Sequence, residues 1–408
     1  MDEASGTGPG RLRAGALICL GVLGMLTTWF SATAIVPDLI EEWAMTPAQA
    51  AWLTNAVQLG FVAGAVLAAL VNLPDIVRMT RLVAIAGLVA ALANAALLVT
   101  GPGGAIAARF ATGMALACVY PPALKLMATW FVRGRGLAMG AMIAALTLGS
   151  AAPHLVRALT DGVDWRAVVW ATSLAAGAGA LLFAGLVREG PHGFARATFD
   201  PRRAGAIFTD RALLLANIGY FGHMWELYAM WAWILAFAAA VETAGLAPFP
   251  FGSASMLAFW VVAAGAVGCL AGGWLSDRIG RCRTTAGMMA ASGACALLMG
   301  AVFDGPPLAL ALVALLWGIT VIGDSAQFSA AVTELADRAF VGTALTLQLG
   351  IGYALTVLAI WIVPLAAEAM GGWRWAFLVL VPGPVVGAAA MLSLRRRPEA
   401  AALAGGAR

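Results

Sequence analysis

Residues 254–283 read ASMLAFWVVAAGAVGCLAGGWLSDRIGRCR, and the join inside that stretch decides the kind of protein. Residues 254–276 pass without a charge; Asp277, Arg278, Arg281 and Arg283 then follow in quick succession. About 20 apolar residues is the length at which a helix crosses the hydrocarbon core of a bilayer. With no water there, backbone N–H and C=O groups must be paired inside the segment. That selects helix, since barrel strands would be about half as long.

Outward from this stretch the pattern repeats. Apolar spans fall at 14–37, 47–71, 82–100, 104–130, 136–157 and 166–187, then at 212–240, 254–276, 284–303, 307–333, 341–366 and 373–394. Breaks such as Gly101-Pro102-Gly103-Gly104 and Asp304-Gly305-Pro306-Pro307 carry turn chemistry between antiparallel helices. Hydrophobic residues make up 62% of the chain and charged ones 11%, against about a quarter charged in soluble domains, so a water-soluble fold is excluded. The predicted fold is therefore all-α and membrane-integral, with about twelve transmembrane helices.

A net charge of +4 does not indicate nucleic acid, because the arginines punctuate the breaks and form no basic face interleaved with aromatics. With the N-terminus inside, 19 basic residues fall in cytoplasmic segments and three, Arg157, Arg166 and Arg374, outside. That bias predicts an inner-membrane protein with both termini cytoplasmic. Arg11 and Arg13 precede the first span with no small-residue cleavage site, so it reads as a retained helix. Cys19, Cys118, Cys269, Cys282 and Cys295 show neither metal nor redox spacing and read as small apolar filler.

One connection, 188–211, is long and rich in arginine (Arg188, Arg196, Arg202, Arg203, Arg211). It predicts a first six-helix half at 1–187, a cytoplasmic loop at 188–211, and a second half with a short tail at 212–408. The halves repeat in register. Asp75 and Asp277 follow the second span of each half, Arg133-Gly134-Arg135-Gly136 and Asp337-Arg338-Ala339-Phe340 precede the fifth, and Trp165-Arg166 and Trp373-Arg374 open the sixth. Parallel halves of this kind place a substrate site between them, near the bilayer midplane.

Gly273-Trp274-Leu275-Ser276-Asp277-Arg278-Ile279-Gly280-Arg281-Cys282-Arg283 closely resembles the cytoplasmic loop signature of the major facilitator superfamily. The resemblance implies a two-halved fold of six helices each, and a conformational latch formed by Gly273, Asp277, Arg278, Gly280 and Arg281. Gly280 suits a tight turn, and the arginines suit the cytosolic side. The first-half copy, Asn72-Leu73-Pro74-Asp75-Ile76-Val77-Arg78-Met79-Thr80-Arg81, keeps Asp75 and two arginines but loses the Asp-Arg and Gly-Arg pairs. On span four, Arg109, Gly113, Ala117 and Pro121 resemble the family's arginine followed by small residues at each turn, and there the arginine is linked to proton coupling. Span ten keeps Gly318 without an arginine. Spans two and eight lack the substrate arginines of nitrate and nitrite members, which argues against an oxyanion site. Gly140 and Gly149 match only part of the antiporter-type glycine pattern of span five.

Ionisable groups cost at least about 2.5 kcal/mol near the bilayer centre, so each needs a reason. Of 20 acidic residues, only Glu226 and Asp324 fall well inside spans. Glu226 sits mid-span with His223 three residues before it, on the same face. The pair reads as a proton-handling group, or as a structural carboxylate tying helices together. Asp324, with Gln327 a turn on, reads as a site for a cationic solute or a second proton, or as a helix-to-helix bond. Arg109 reads as a gating or coupling group, or as one half of a helix-holding ion pair. Tyr220, Thr28, Asn55 and Gln58 offer neutral polar groups for a small polar solute, each equally at home as a packing hydrogen bond. His154 and Arg157 read as an interfacial pair.

No nucleotide-binding loop, metal cluster or nucleophile–base pair is visible, so no cofactor, metal site or enzymatic activity is expected. The expected function is secondary active transport of a small organic solute by alternating access, coupled to protons, by a monomer in the lipid bilayer. Two alternatives stand beside it: a broad-range drug or metabolite exporter, and a non-transporting membrane sensor (a transceptor). Substrate, direction and stoichiometry are not readable from sequence.

Overall fold

The computed structural model describes residues 9–71, 73–131, 135–160, 164–192, 205–246, 249–337 and 341–406. The expected landmarks Asn72, Arg133, Gly134 and Arg338, and the side chain of Asp75, lie outside what is described, as do Arg196, Arg202 and Arg203 of the central connection. Among the described residues there is no β-strand, only an isolated bridge between Phe249 and Gly252.

The helices run α1 (Pro9–Leu26), α2 (Val36–Trp43), α3 (Pro47–Leu70), α4 (Leu73–Ile76), α5 (Met79–Ala95), α6 (Pro102–Ala117), α7 (Tyr120–Trp130), α8 (Arg135–Leu159) and α9 (Arg166–Gly185). They continue as α10 (Ala206–Thr209), α11 (Arg211–Thr243), α12 (Ala254–Ile279), α13 (Arg281–Ala301), α14 (Pro307–Gly323), α15 (Ser325–Leu335), α16 (Val341–Ala369) and α17 (Pro382–Arg395). Counting α6–α7 and α14–α15 as one span each, 11 helical segments among the described residues are long and apolar enough to cross a bilayer. The first expected span is the exception. It leaves α-helix after Leu26, passes through turns, and resumes as the short 3-10 segment Thr33–Ile35 and then α2.

Three spans are thus broken near their middles, and each break has a local cause. Residues 27–33 are rich in hydroxyls that compete for backbone acceptors: Thr27 Oγ1 donates to Gly24 O at 2.8 Å and Thr28 Oγ1 to Met25 O at 2.8 Å. The α6–α7 break at Cys118–Val119 precedes Pro121 and Pro122, which lack an N–H and fit only the first turn of a new helix. The α14–α15 break falls on Asp324, which ends one helix and starts the next. The last two breaks fall at matching points of the two halves.

By contacts the chain divides into two compact units, one of Met1–Met45 with Ala56–Thr198, the other of Thr46–Asn55 with Phe199–Arg408. In the first unit α5 lies along α9, and α1 packs on α8 and α9. In the second, α12 lies along α14, α11 along α16 and α17, and α13 along α17. Small residues set the closest approaches. A Cβ at Gly113 of α6 would overlap the carbonyl oxygen of Val57 on α3, and one at Gly318 of α14 that of Val261 on α12. Lipid offers no hydrophobic drive for helix association, so this close packing carries much of the cohesion. Large side chains such as Leu92, Leu181 and Leu312 point outward, as a lipid-facing surface requires.

Candidate functional site

Each unit buries one polar centre, and both lie where a helix is broken. In the first unit the centre is Arg109. It stands about two turns into α6, which begins with Pro102 at its first position, and its side chain is fully buried. Nη1 donates to Thr28 O at 2.7 Å, Ser31 Oγ at 3.1 Å and Asn94 Oδ1 at 3.1 Å; Nη2 donates to Trp29 O. The carbonyls of Thr28 and Trp29 belong to the unwound segment after α1. The guanidinium fork meets acceptors there that the broken helix has released, as a planar five-donor group is suited to do.

Asn94 on α5 extends the network. Its Nδ2 donates to Thr172 Oγ1 at 3.0 Å and Ser173 Oγ at 2.9 Å on α9, while Oδ1 also accepts from Ser31. One continuous set of bonds therefore joins the end of α1 to α5, α6 and α9. Thr28 contributes its carbonyl to Arg109, and its hydroxyl is spent on its own helix. Gln58 is buried in the same unit, and among the described residues neither its Nε2 nor its Oε1 has a hydrogen-bond partner. Asn55, grouped with the second unit, is buried in the same condition. At the end of α8 Arg157 pairs with Asp38 at 2.9 Å, and His154 is buried with neither ring nitrogen partnered among the described residues, so the expected interfacial pairing of these two is replaced. Glu42 accepts from Trp165 Nε1 and Arg166; these bonds hold its carboxyl below the usual range.

In the second unit the centre is acidic. Helix α11 starts cleanly, with Asp210 Oδ1 capping Ala212 N at 2.8 Å and Leu213 N at 2.9 Å. Glu226, about halfway along α11, is 2% exposed. Its Oε1 accepts from Trp317 Nε1 of α14 at 2.7 Å, and its Oε2 from Ser292 Oγ of α13 at 2.8 Å. His223, one turn back, turns to Asp324 instead of Glu226: Nδ1 lies 2.9 Å from Oδ1, both side chains 1% exposed. That approach is short, but among the described residues Oδ1 has no partner of good hydrogen-bond geometry, so it is a close contact and not a hydrogen bond. The break between α14 and α15 is what delivers Asp324 to His223. Tyr220 and Phe328 complete the wall, with ring centroids 6.1 Å and 5.3 Å from that of His223.

Gln327 is drawn toward the loop between α12 and α13. Its backbone N–H bonds Asp324 O at 2.9 Å, and its Oε1 accepts from Arg281 Nη1 at 2.7 Å. Arg281 also grips Glu334 of α15, with Nε donating to Oε2 at 2.7 Å and Nη2 to Oε1 at 2.5 Å. Glu334 in turn accepts from Ala404 N in the C-terminal tail at 3.0 Å. Gly280 adopts φ 92°, a conformation open to glycine, and sets the turn between α12 and α13. Asp277 and Arg278 are exposed, with the Arg278 guanidinium 3.9 Å above the Trp274 ring. Gly273 lies near the end of α12 with open space at its Cβ position.

Ser292, Trp317, Asn94 and Glu334 were not singled out by sequence. Trp317 did carry a signal: tryptophans favour the membrane interface, and this one stands deep in a span.

A chain built of spans this long and apolar is a multi-pass helical membrane protein. The sequence model of the Major Facilitator Superfamily matches residues 17–353, and the chain belongs to that family of transporters. It is thus a membrane transporter acting on a small-molecule substrate. Similar solved structures include a bacterial homologue of the human lysosomal transporter Spinster, inward-facing and unoccupied. It has a TM-score of 0.71 and 15% identity, over 96% of this chain and 98% of that one. A point mutant of the nucleoside transporter NupG gives a TM-score of 0.72 and 15% identity, over 93% of this chain and 99% of that one. At such identity these likenesses speak for the fold. A search of curated proteins returned no sequence match.

Proposed function

We propose that the protein is a proton-coupled secondary transporter that moves a small polar organic solute across the cell inner membrane by alternating access. The supporting observation is the pair of fully buried carboxylates in the second unit: Glu226, bonded to Ser292 and Trp317, and Asp324, with His223 against it. Carboxylates are expensive in a bilayer, and a titrating role accounts for keeping two of them there. Glu226 serves as the proton carrier, the His223–Asp324 pair as its neighbouring charge store, and Arg109 as the fixed cation of the other unit. Asn55 and Gln58, buried with their amides unpartnered, supply hydrogen bonds to the solute. Both termini and the central connection lie in the cytosol, as the arginine distribution requires. The protein works as a monomer, with a latch at Gly273, Asp277, Arg278, Gly280 and Arg281, and with Asp75 in the first half.

Counterflow into proteoliposomes tests this reading. The panel spans organic acids, amino acids, lipophilic cations and nucleosides, the last because one structural neighbour is named a nucleoside transporter. Uptake of one polar class, stimulated by an imposed proton gradient, is the expected result. Exchange of lipophilic cations alone would favour an exporter, and no exchange of any kind a sensor.

A further inference from the structure

We propose that Ser292 is a positioning residue that lets Glu226 gain and lose a proton in place, by reversing the direction of one hydrogen bond. The inference rests on Glu226 being the proton carrier.

The two oxygens of Glu226 face chemically different partners. Oε1 receives the Trp317 indole N–H at 2.7 Å, and an indole nitrogen only donates. An indole nitrogen cannot accept a hydrogen bond from a proton on Oε1, whereas the partner of Oε2 can, so the proton is placed on Oε2. Oε2 faces Ser292 Oγ at 2.8 Å, and a hydroxyl both donates and accepts. Ser292 Oγ has a second acceptor in reach, Met289 O one turn back on α13, at 3.1 Å.

Two complete arrangements follow. With Glu226 ionised, Ser292 donates to Oε2. A proton delivered in an access state that opens the site to water forms the Oε2–H bond; the Ser292 O–H rotates to Met289 O, and Ser292 Oγ accepts from Oε2–H. Release runs the same steps backwards, and the proton returns to water. No buried polar atom is left without a partner in either state, and no heavy atom has to move. Since Ser292 and Trp317 are themselves 1% and 0% exposed, water is not at hand to substitute for them. The titratable groups around Glu226 are His223, Tyr220 and Tyr228 on α11, Asp324 at the α14–α15 junction, Cys295 on α13 and Tyr353 on α16; Asp277, Arg278, Arg281, Glu334 and Arg395 stand toward helix ends. None of these offers a hydroxyl to Oε2 among the described bonds.

The test is infrared spectroscopy of the full-length protein in lipid, with pH-driven transport measured on the same samples. The carboxylic C=O band lost in Glu226→Gln identifies protonated Glu226. In Ser292→Ala that band is expected to move to higher wavenumber, and gradient-driven uptake to fall about tenfold; Ser292→Thr, which keeps the hydroxyl, restores both. Trp317→Phe is expected to raise the C=O band as well, by freeing Oε1. If Ser292→Ala does not fold, the nearly isosteric Ser292→Cys, a weaker donor and acceptor, is read instead and should give a smaller shift of the same sign. A Glu226 band unmoved in the serine variants would overturn the role of Ser292 and leave the proton carrier standing. Absence of any band lost in Glu226→Gln would overturn the carrier and this proposal together.

Discussion

Arg109 and Glu226 occupy comparable situations and solve them differently. Each is a charge buried near a broken span, Arg109 beside the unwinding after α1 and Glu226 beside the break at Asp324. Arg109 is held by at least four acceptors, two of them backbone carbonyls that the broken helix would otherwise leave open. Glu226 has one donor per oxygen, and one of those can reverse. A guanidinium stays charged and so serves as a fixed strut, whereas a carboxylate can titrate. On the proposed reading this difference divides labour between the units: the first would carry permanent charge as structure, the second exchangeable charge as chemistry.

That comparison would be broken most severely at the backbone approaches beneath both centres. Gly318→Leu drives a side chain into Val261 O, and Gly113→Leu one into Val57 O. Both are expected to abolish monodisperse, folded protein on size-exclusion chromatography, whichever charge they neighbour. Next comes Arg109→Leu, which leaves several buried acceptors unsatisfied at about 1–3 kcal/mol each. A large drop in detergent melting temperature is expected, with Arg109→Lys recovering only part because one ammonium cannot span the same fork. If Arg109→Leu melted like wild type but failed to transport, the strut assignment would be wrong and Arg109 would belong with the chemistry.

Asp324→Asn should behave in the opposite sense. It keeps the shape of the α14–α15 break and removes the charge facing His223. Folding is expected to change little, while gradient-driven uptake falls several-fold in a proteoliposome assay. A smaller effect belongs to the loop between α12 and α13. Arg281→Gln breaks the links to Gln327 and Glu334, whereas Asp277→Asn alters an exposed carboxylate. Cysteine accessibility at the two mouths should therefore shift more in Arg281→Gln than in Asp277→Asn.

The smallest effect is expected at Glu42, near the end of α2. Bonds from Trp165 and Arg166 hold the Glu42 carboxyl below its usual range, so its contribution is present at neutral pH and lost as pH falls through that lowered value. Glu42→Gln should lower the melting temperature by about 1–2 °C at pH 7 and by less at strongly acidic pH. An equal drop at both would show that the bonds, not the charge, matter.

Much of this fold was legible because lipid imposes so strict a rule on sequence. Span length followed from solvation alone, and the loop at 273–283 was legible through its resemblance to the family's signature. The break after Leu26 was harder to read, since Thr27, Thr28, Ser31 and Thr33 look as much like cavity lining as like hydroxyls competing for backbone. Glu226 and Asp324 stood out because acids are so rare in spans. Their partners did not, because spacing on one helix says nothing of what a neighbouring helix presents. His223 and Glu226 share a face, yet one turns to Asp324 and the other to Ser292 and Trp317.

The most direct test of the division between strut and carrier is Glu226→Gln in proteoliposomes, assayed for exchange and for proton-driven accumulation on one preparation. Glutamine keeps the shape, the acceptor for Trp317 and a polar group for Ser292, and removes titration. The account predicts folded protein that exchanges solute at near the wild-type rate but loses accumulation by more than about tenfold. Accumulation at the wild-type rate with unchanged pH dependence would contradict it and make Glu226 a structural residue.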